Sequence, residues 1–254
     1  MSQLLASVSS RGDDRPRAIV MLMPAARTVR ATAGLAAGVL LASLMTSRPG
    51  NAQPAAGASE LAQALQRKYD TVRDFSADFV HTYRGGVLRR QLSEKGRVSI
   101  KKPGRMRWEY TAPDEKLFVS DGAKIYSYVP ADKQVTVMSM PADSAATTPA
   151  LFLAGRGSIG RDFTAEAVPL PEGLPKELTA LKLVPKERQP DFEWLIVGIA
   201  PGTFALRGLV FVDAQGGTST FSFTNLQENV GLADKAFEFR IPRGVNVVTD
   251  AASR

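Results

Sequence analysis

The sequence predicts a mainly β protein, one curved antiparallel sheet accompanied by two helices. Three observations predict it. From Phe75 onward, apolar residues recur at period two over short segments bounded by turn residues. Glycine, proline and aspartate punctuate those segments at intervals of about ten residues, the rhythm of a barrel or sandwich. No long strand–helix–strand alternation appears, so a parallel doubly wound sheet is not expected.

The elements follow in order. Residues 1–52 read as an export region. Arg27 and Arg30 supply a positive start, and Ala31 to Met45 is uncharged and apolar or small. That run, at about 15 residues, falls short of the roughly 20 that span a bilayer. Gly50 and Ala52 place small residues at −3 and −1, so cleavage is expected after Ala52. Residues 1–20 are polar and arginine-rich, which points to Met21 or Met23 as the start and to 1–20 as a start-codon artefact. Residues 53–58 read as a linker, and 59–254 as a single domain.

Ser59 is expected to cap a helix over 60–69, where Leu61, Ala62, Leu65 and Tyr69 fall at helical spacing. Phe75, Ala77 and Phe79 then alternate with polar residues, and Gly85-Gly86 is a turn. Strands are expected at 96–101, 106–110, 117–119, 124–129 and 134–138, separated by Lys102-Pro103-Gly104, Ala112-Pro113-Asp114, Ser120-Asp121-Gly122 and Val129-Pro130-Ala131-Asp132. Thr148 to Gly155 reads as a short helix, with Pro149 at its first position and Gly155 at its end. A flexible loop is expected at 155–160. Strands resume at 163–168, 177–184, 192–199, 205–212 and 218–226, and Phe237 to Ile241 is expected as the last, stopped by Pro242.

Composition excludes several chemistries. The chain has no cysteine, so it holds no disulfide, thiol nucleophile, cysteine metal site or cysteine-linked lipid anchor. With one histidine, His81, a zinc site built mainly on histidines is excluded, and a serine hydrolase triad would need that residue. His81 lies in an alternating stretch and is expected on a strand surface. The net charge of +7 falls to +3 over residues 53–254, because residues 1–52 carry six arginines and two aspartates. A basic cluster remains at Arg89-Arg90, Lys101-Lys102, Arg105 and Arg107, which strand alternation makes a solvated face rather than a nucleic-acid site. Gly155 to Gly160 lacks the Lys-Ser/Thr ending of a phosphate loop. No metal or cofactor is expected.

The ordered set Lys101-Lys102-Pro103-Gly104-Arg105-Met106-Arg107-Trp108-Glu109-Tyr110-Thr111-Ala112-Pro113-Asp114-Glu115, then Phe118-Val119-Ser120-Asp121-Gly122, resembles the outer-membrane lipoprotein carrier family, LolA. Tyr128-Val129-Pro130, Gln134-Val135-Thr136-Val137, Thr148 to Ala154 and Phe237 to Val245 extend the likeness across roughly residues 59–249, weakest over 165–230. The resemblance implies an incomplete antiparallel β-barrel closed by an α-helical lid. It implies a non-enzymatic periplasmic chaperone, a monomer. Its partners would be acylated lipoproteins, an inner-membrane lipoprotein-releasing transporter and an outer-membrane lipoprotein receptor. On that fold, the lipid-binding wall is expected at Phe79, Val98, Ile100, Met106, Trp108, Tyr110, Phe118, Tyr126 and Tyr128. Leu65, Ala150, Leu151 and Leu153 would face it from the lid. A basic residue before the strand-breaking proline would latch the lid. Here it is Lys102, helped by Arg105, where many members have arginine, whose planar fork makes several fixed bonds.

Three rivals have a sequence basis. A periplasmic hydrolase would draw on Glu109, Asp114 and Glu115, although a proline turn gives the latter two a structural role. A lipoprotein-sensing domain of the same architecture usually carries a second domain, for which continuing strands leave no room. The lipid-anchored outer-membrane receptor is disfavoured by the absence of cysteine near Ala52.

Overall fold

Strand β1 (Asp74–Arg84) is the centre of the fold, pairing antiparallel with β2 (Gln91–Lys101) on one side and with β11 (Thr218–Glu228) on the other. The computed structural model describes residues 56–85, 91–140, 148–189, 191–213 and 216–249. The export region, residues 53–55, Gly86 and the Arg89-Arg90 pair lie outside them.

From β2 the sheet continues through β3 (Arg105–Ala112), β4 (Lys116–Asp121), β5 (Lys124–Val129) and β6 (Gln134–Ser139). On the other side, β11 is followed by β10 (Leu206–Asp213), β9 (Phe192–Ile199), β8 (Thr179–Pro185) and β7 (Phe163–Val168). Every neighbour is antiparallel except β12 (Asn246–Thr249), which adds to β6 in parallel. β7 and β12 are the two ends of the order, so this curved sheet is an incomplete barrel.

Period two sets what the concave face holds. Ala77, Val98, Trp108 and Phe118 form one cross-strand row, and Phe79, Gly96 and Tyr110 form the next. Gly96 is required: a Cβ there would strike the Glu109 carbonyl and come within 2.9 Å of the Phe79 ring.

Three α-helices, α1 (Ala56–Thr71), α2 (Pro149–Leu153) and α3 (Ile159–Asp162), accompany the sheet among the described residues. α1 buries Ala58, Ala62 and Leu65, one helical stripe, in the same core as Phe79 and Trp108. It rests against β7, β8 and α3. Its start corrects the expected linker and cap. Residues 56–58 are the first turn of the helix, because Ala58 belongs to the buried stripe, and Ser59 lies inside, its Oγ accepting from Gln63 Nε2 at 3.4 Å. α2 begins as expected, with Thr148 Oγ1 accepting from Leu151 N at 3.2 Å and Pro149 in its first turn. The expected loop at 155–160 runs over 155–158 and ends at α3, which starts at Ile159, a residue buried in the same core.

The expected last strand is also corrected. Asp234–Phe237 is a 3-10 turn, and residues 238–242 form a strap outside any strand that leads to a turn at Arg243-Gly244. Phe237 is buried, and Phe239 packs on Tyr126 and Tyr128, so this segment covers the outer face of the sheet instead of extending its edge. A second outer layer covers the other half, where Leu174 and Leu178 pack over Ala180, Ile196 and Val210.

Candidate functional site

The concave face is an aromatic wall. Phe79 makes edge contacts with Trp108 (5.3 Å between centroids) and Tyr110 (4.9 Å). Tyr110 in turn meets Phe118 at 5.7 Å. Phe221 and Phe223 of β11 join from the far half of the chain, Phe221 lying 5.5 Å from Trp108. Val98, Ile100 and Met106 extend this wall toward the β2–β3 turn. Facing it are Leu65 of α1 and Leu151, Phe152 and Leu153 of α2, all buried, with Ala150 packed at their edge. The helices thus cover the wall with their own side chains.

Three residues expected at the site sit elsewhere. Tyr126 and Tyr128 lie on the outer face, because Tyr126 pairs with Val119, the neighbour of inward Phe118, and Tyr128 pairs with Leu117. The inward positions of β5 are Ile125 and Ser127. Arg105 alternates with inward Met106 and therefore also points outward, its Nη2 3.8 Å from Asp234 Oδ2. Phe152, Phe221 and Phe223, together with Leu195 and Val197, were missing from the expected wall. The alternation Thr220-Phe221-Ser222-Phe223-Thr224 carries the signal, but only the β1–β11 pairing brings it beside Trp108.

One end of the covered face is tied by polar bonds. Lys102 Nζ donates to the Tyr69 carbonyl oxygen at 2.5 Å and lies 3.1 Å from the centre of the Tyr69 ring. That carbonyl belongs to the last turn of α1, where helix dipoles favour a cation. The Tyr69 hydroxyl donates to the Phe152 carbonyl of α2, and the two rings stack at 5.4 Å. Lys102 N donates to Arg73 O, and Gly104 N to Ala154 O, each at 2.8 Å. One turn between two strands therefore holds the ends of both helices. Gly155 lets the Lys102 stem pass: it has φ +87°, and a Cβ would lie 2.7 Å from Lys102 Cγ. Burial pushes the Lys102 ammonium down to about 8, against the pull of Asp70 and Glu228. Burial likewise raises the Tyr69 phenol. Beside this tie is a small, partly open cleft lined by Leu65, Val72, Phe75, Leu153, Phe204 and Leu226, with Lys68, Lys102 and Glu228 adding charge.

At the other end lies a buried polar network. His81, expected on the surface, is 1% exposed. It shares the inward parity of Phe79 and stacks on Phe221 at 4.1 Å. Its Nδ1 is 3.2 Å from Glu94 Oε2, and its Nε2 is 3.1 Å from Ser219 Oγ. Lys116 Nζ donates to Glu94 Oε1. Burial alone would raise the Glu94 carboxyl, but hydrogen bonds from His81 and Lys116 outweigh it and hold the group below its ordinary value. Ser219, His81 and Glu94 have the order of a hydrolytic triad. Ser219 is 0% exposed, however, and Lys116 neutralises Glu94, so in this conformation the trio joins strands and no substrate reaches the hydroxyl. Of the expected hydrolase carboxylates, Glu109 accepts from Arg107 Nε at 2.9 Å, while Asp114 and Glu115 are exposed at a turn. Among the described residues, no cluster of three metal-binding side chains occurs and no helix is long and apolar enough to cross a membrane.

Residues 70–240 match the family described as outer membrane lipoprotein carrier protein LolA. Relatives named outer-membrane lipoprotein carrier protein include one from Methylococcus capsulatus, 30% identical over 73% of this chain and 86% of its own length. Another, from Ralstonia nicotianae, is 30% identical over 83% of this chain and 95% of its own length. Among solved structures, a LolA superfamily protein from Nitrosomonas europaea matches with a TM-score of 0.39 and 14% identity, covering 70% of this chain and 97% of that one. The MucA/MucB complex of Pseudomonas aeruginosa matches with a TM-score of 0.41 and 14% identity, covering 73% of this chain and 62% of that one.

Proposed function

This chain belongs to the outer membrane lipoprotein carrier protein family, LolA, and from that premise we propose that it ferries lipoproteins across the periplasm with their acyl chains held against the concave face of its sheet. The observation that carries the reading is the aromatic wall of Phe79, Trp108, Tyr110 and Phe221, which an unclosed sheet leaves to be covered by short helices.

Burial of one methylene contributes roughly 0.8 kcal/mol, so a sixteen-carbon chain gains on the order of 10 kcal/mol before binding costs. No chemistry is needed to carry such a chain, only a dry surface that opens. Leu65 of α1 and Leu151 and Leu153 of α2 are the stand-ins when cargo is absent, and acyl chains replace them when it is present. Lys102 is the latch, since its one side chain bonds Tyr69 of α1 and its turn bonds Ala154 beyond α2. An inner-membrane transporter supplies cargo and energy, and an outer-membrane receptor with a higher affinity withdraws it. Export through a signal cleaved after Ala52 delivers a monomer to that compartment.

The test is purification from the periplasm with mass spectrometry of what accompanies the protein. Triacylated lipoproteins are expected, and a Trp108→Glu variant that still folds should lose them. Recovery of the wild type free of lipoproteins from cells making them, with undiminished lipoprotein transport when the gene is deleted, overturns the reading.

A further inference from the structure

Trp108 is 4% exposed, and its indole Nε1 is buried with no hydrogen-bond partner among the described residues. The neighbours explain why. Phe79, Phe221 and Phe223 surround the indole with rings that offer no conventional acceptor. A water there would lack the two or more polar partners that hold buried water in place. A donor closed off in this way is a standing cost to the closed protein, and native structures rarely leave one without a reason.

The place of the indole along the wall suggests that reason. On one side, Ile100 and Met106 continue toward the lid tie as plain hydrocarbon. On the other, a single layer of rings, Phe221 and Tyr110, stands between Trp108 and the His81–Glu94–Lys116 network, the Phe221 ring contacting both Trp108 and His81. Trp108 therefore stands where an apolar wall meets a polar layer. A ligand that is hydrocarbon along its length and carries an acceptor at one end fits that boundary.

We propose that Trp108 is a specificity-determining residue, whose indole N–H donates to an ester carbonyl of the acyl groups on the cargo. This rests on the carrier reading above and adds the feature of the lipid that is recognised. Hydrocarbon burial by itself does not distinguish an acyl ester from any other greasy chain. An orphaned donor does, because the projecting carbonyl oxygen of an ester can reach it, whereas an ether-linked chain lacks that oxygen and offers only the less accessible oxygen within its own backbone. Closed and loaded states then differ in one hydrogen bond as well as in area, and that difference favours loading with the correct lipid.

The test compares two synthetic lipopeptides on the intact exported protein. One carries two palmitoyl esters on an S-glyceryl cysteine, and the other carries the matching alkyl ethers. The wild type is expected to bind the ester about fivefold more tightly, the usual worth of one net hydrogen bond. In Trp108→Phe both ligands bind more weakly, through lost ring contact, and the ester-to-ether ratio falls to about one. A second readout needs no variant. The chain has two tryptophans, and Trp194 packs with the separate outer layer, so its indole serves as the reference. The Trp108 indole proton should move downfield in NMR spectra with the ester and stay in place with the ether. Equal wild-type affinities for the two ligands, an unchanged ratio in Trp108→Phe, or an indole proton indifferent to the ester each overturns the inference while leaving the carrier reading intact. Failure of the wild type to bind either lipopeptide overturns both.

Discussion

The ammonium of Lys102 sits 3.1 Å from the centre of the Tyr69 ring while donating to the carbonyl oxygen of the same residue. One side chain thus uses two features of a helix end, the ring's π cloud and a carbonyl of the last turn whose other bond is a long one from Val72 N at 3.3 Å. Tyr69 passes the connection on to Phe152, so the two lid helices and the β2–β3 turn share one set of bonds.

Lys102→Leu removes that charged donor and leaves the Tyr69 carbonyl with only the long bond from Val72 N. Chemical denaturation should show a loss of about 1–3 kcal/mol. Amide exchange should quicken along α1 while the β1–β11 pairs stay protected, because the bond joins lid to sheet. Exchange unaltered along α1, with lipoprotein release also unaltered, would remove Lys102 from the latch.

The same lysine makes a prediction about pH. Its pKa is lowered to about 8 in the folded state from an ordinary value of 10.5, so between those values the unfolded chain binds more protons. Stability from this group therefore rises as pH climbs from about 8 to 10.5, as the desolvated ammonium gives up its charge. The neutral amine still donates to Tyr69. Comparing unfolding of the wild type and Lys102→Leu across that window should show the wild type gaining on the variant.

Glu94 has the opposite sign. Its carboxyl is held below the ordinary 4.5, so its contribution is present above that value and is lost as pH falls through the lowered one. Glu94→Leu removes the contribution at every pH and strands Lys116 beside an apolar layer, at a cost of roughly 3–5 kcal/mol. An acid limb of the stability curve identical in the two proteins would show that Glu94 carries none of it.

Gly155→Ala tests the packing of the latch. Its φ of +87° is unfavourable for alanine, and the new methyl would press on the Lys102 stem. A loss of about 1–3 kcal/mol is expected. It should be non-additive with Lys102→Leu, since the two changes disturb one contact.

Tyr126→Ala separates the two faces of β5. The ring packs on Phe239 outside the sheet, so the variant should lose about 1 kcal/mol of stability and capture lipoproteins as well as the wild type. Reduced capture at full folding would place the ring at the lipid wall after all.

Much of this architecture was legible in residue order. Alternation located strands such as Lys124–Val129 and Phe192–Ile199 to the residue, and Thr148-Pro149 announced α2. The ordered motif around Pro103 marks Lys102 and Trp108, strand alternation marks Phe79, and helical spacing marks Leu65. What period two states is which residues share a face. It is silent on which face will be covered. Tyr126 and Tyr128 went outward because the strap bearing Phe239 supplies their cover, and His81 went inward because Glu94 and Ser219 satisfy its two nitrogens there. Ser219 is 138 residues from His81 in the chain, and Glu228 pairs across the sheet with Phe75. Local sequence determines the pleat of each strand; the side that becomes the interior is decided by pairings between distant segments, because burial is a property of the assembled sheet and not of any strand within it.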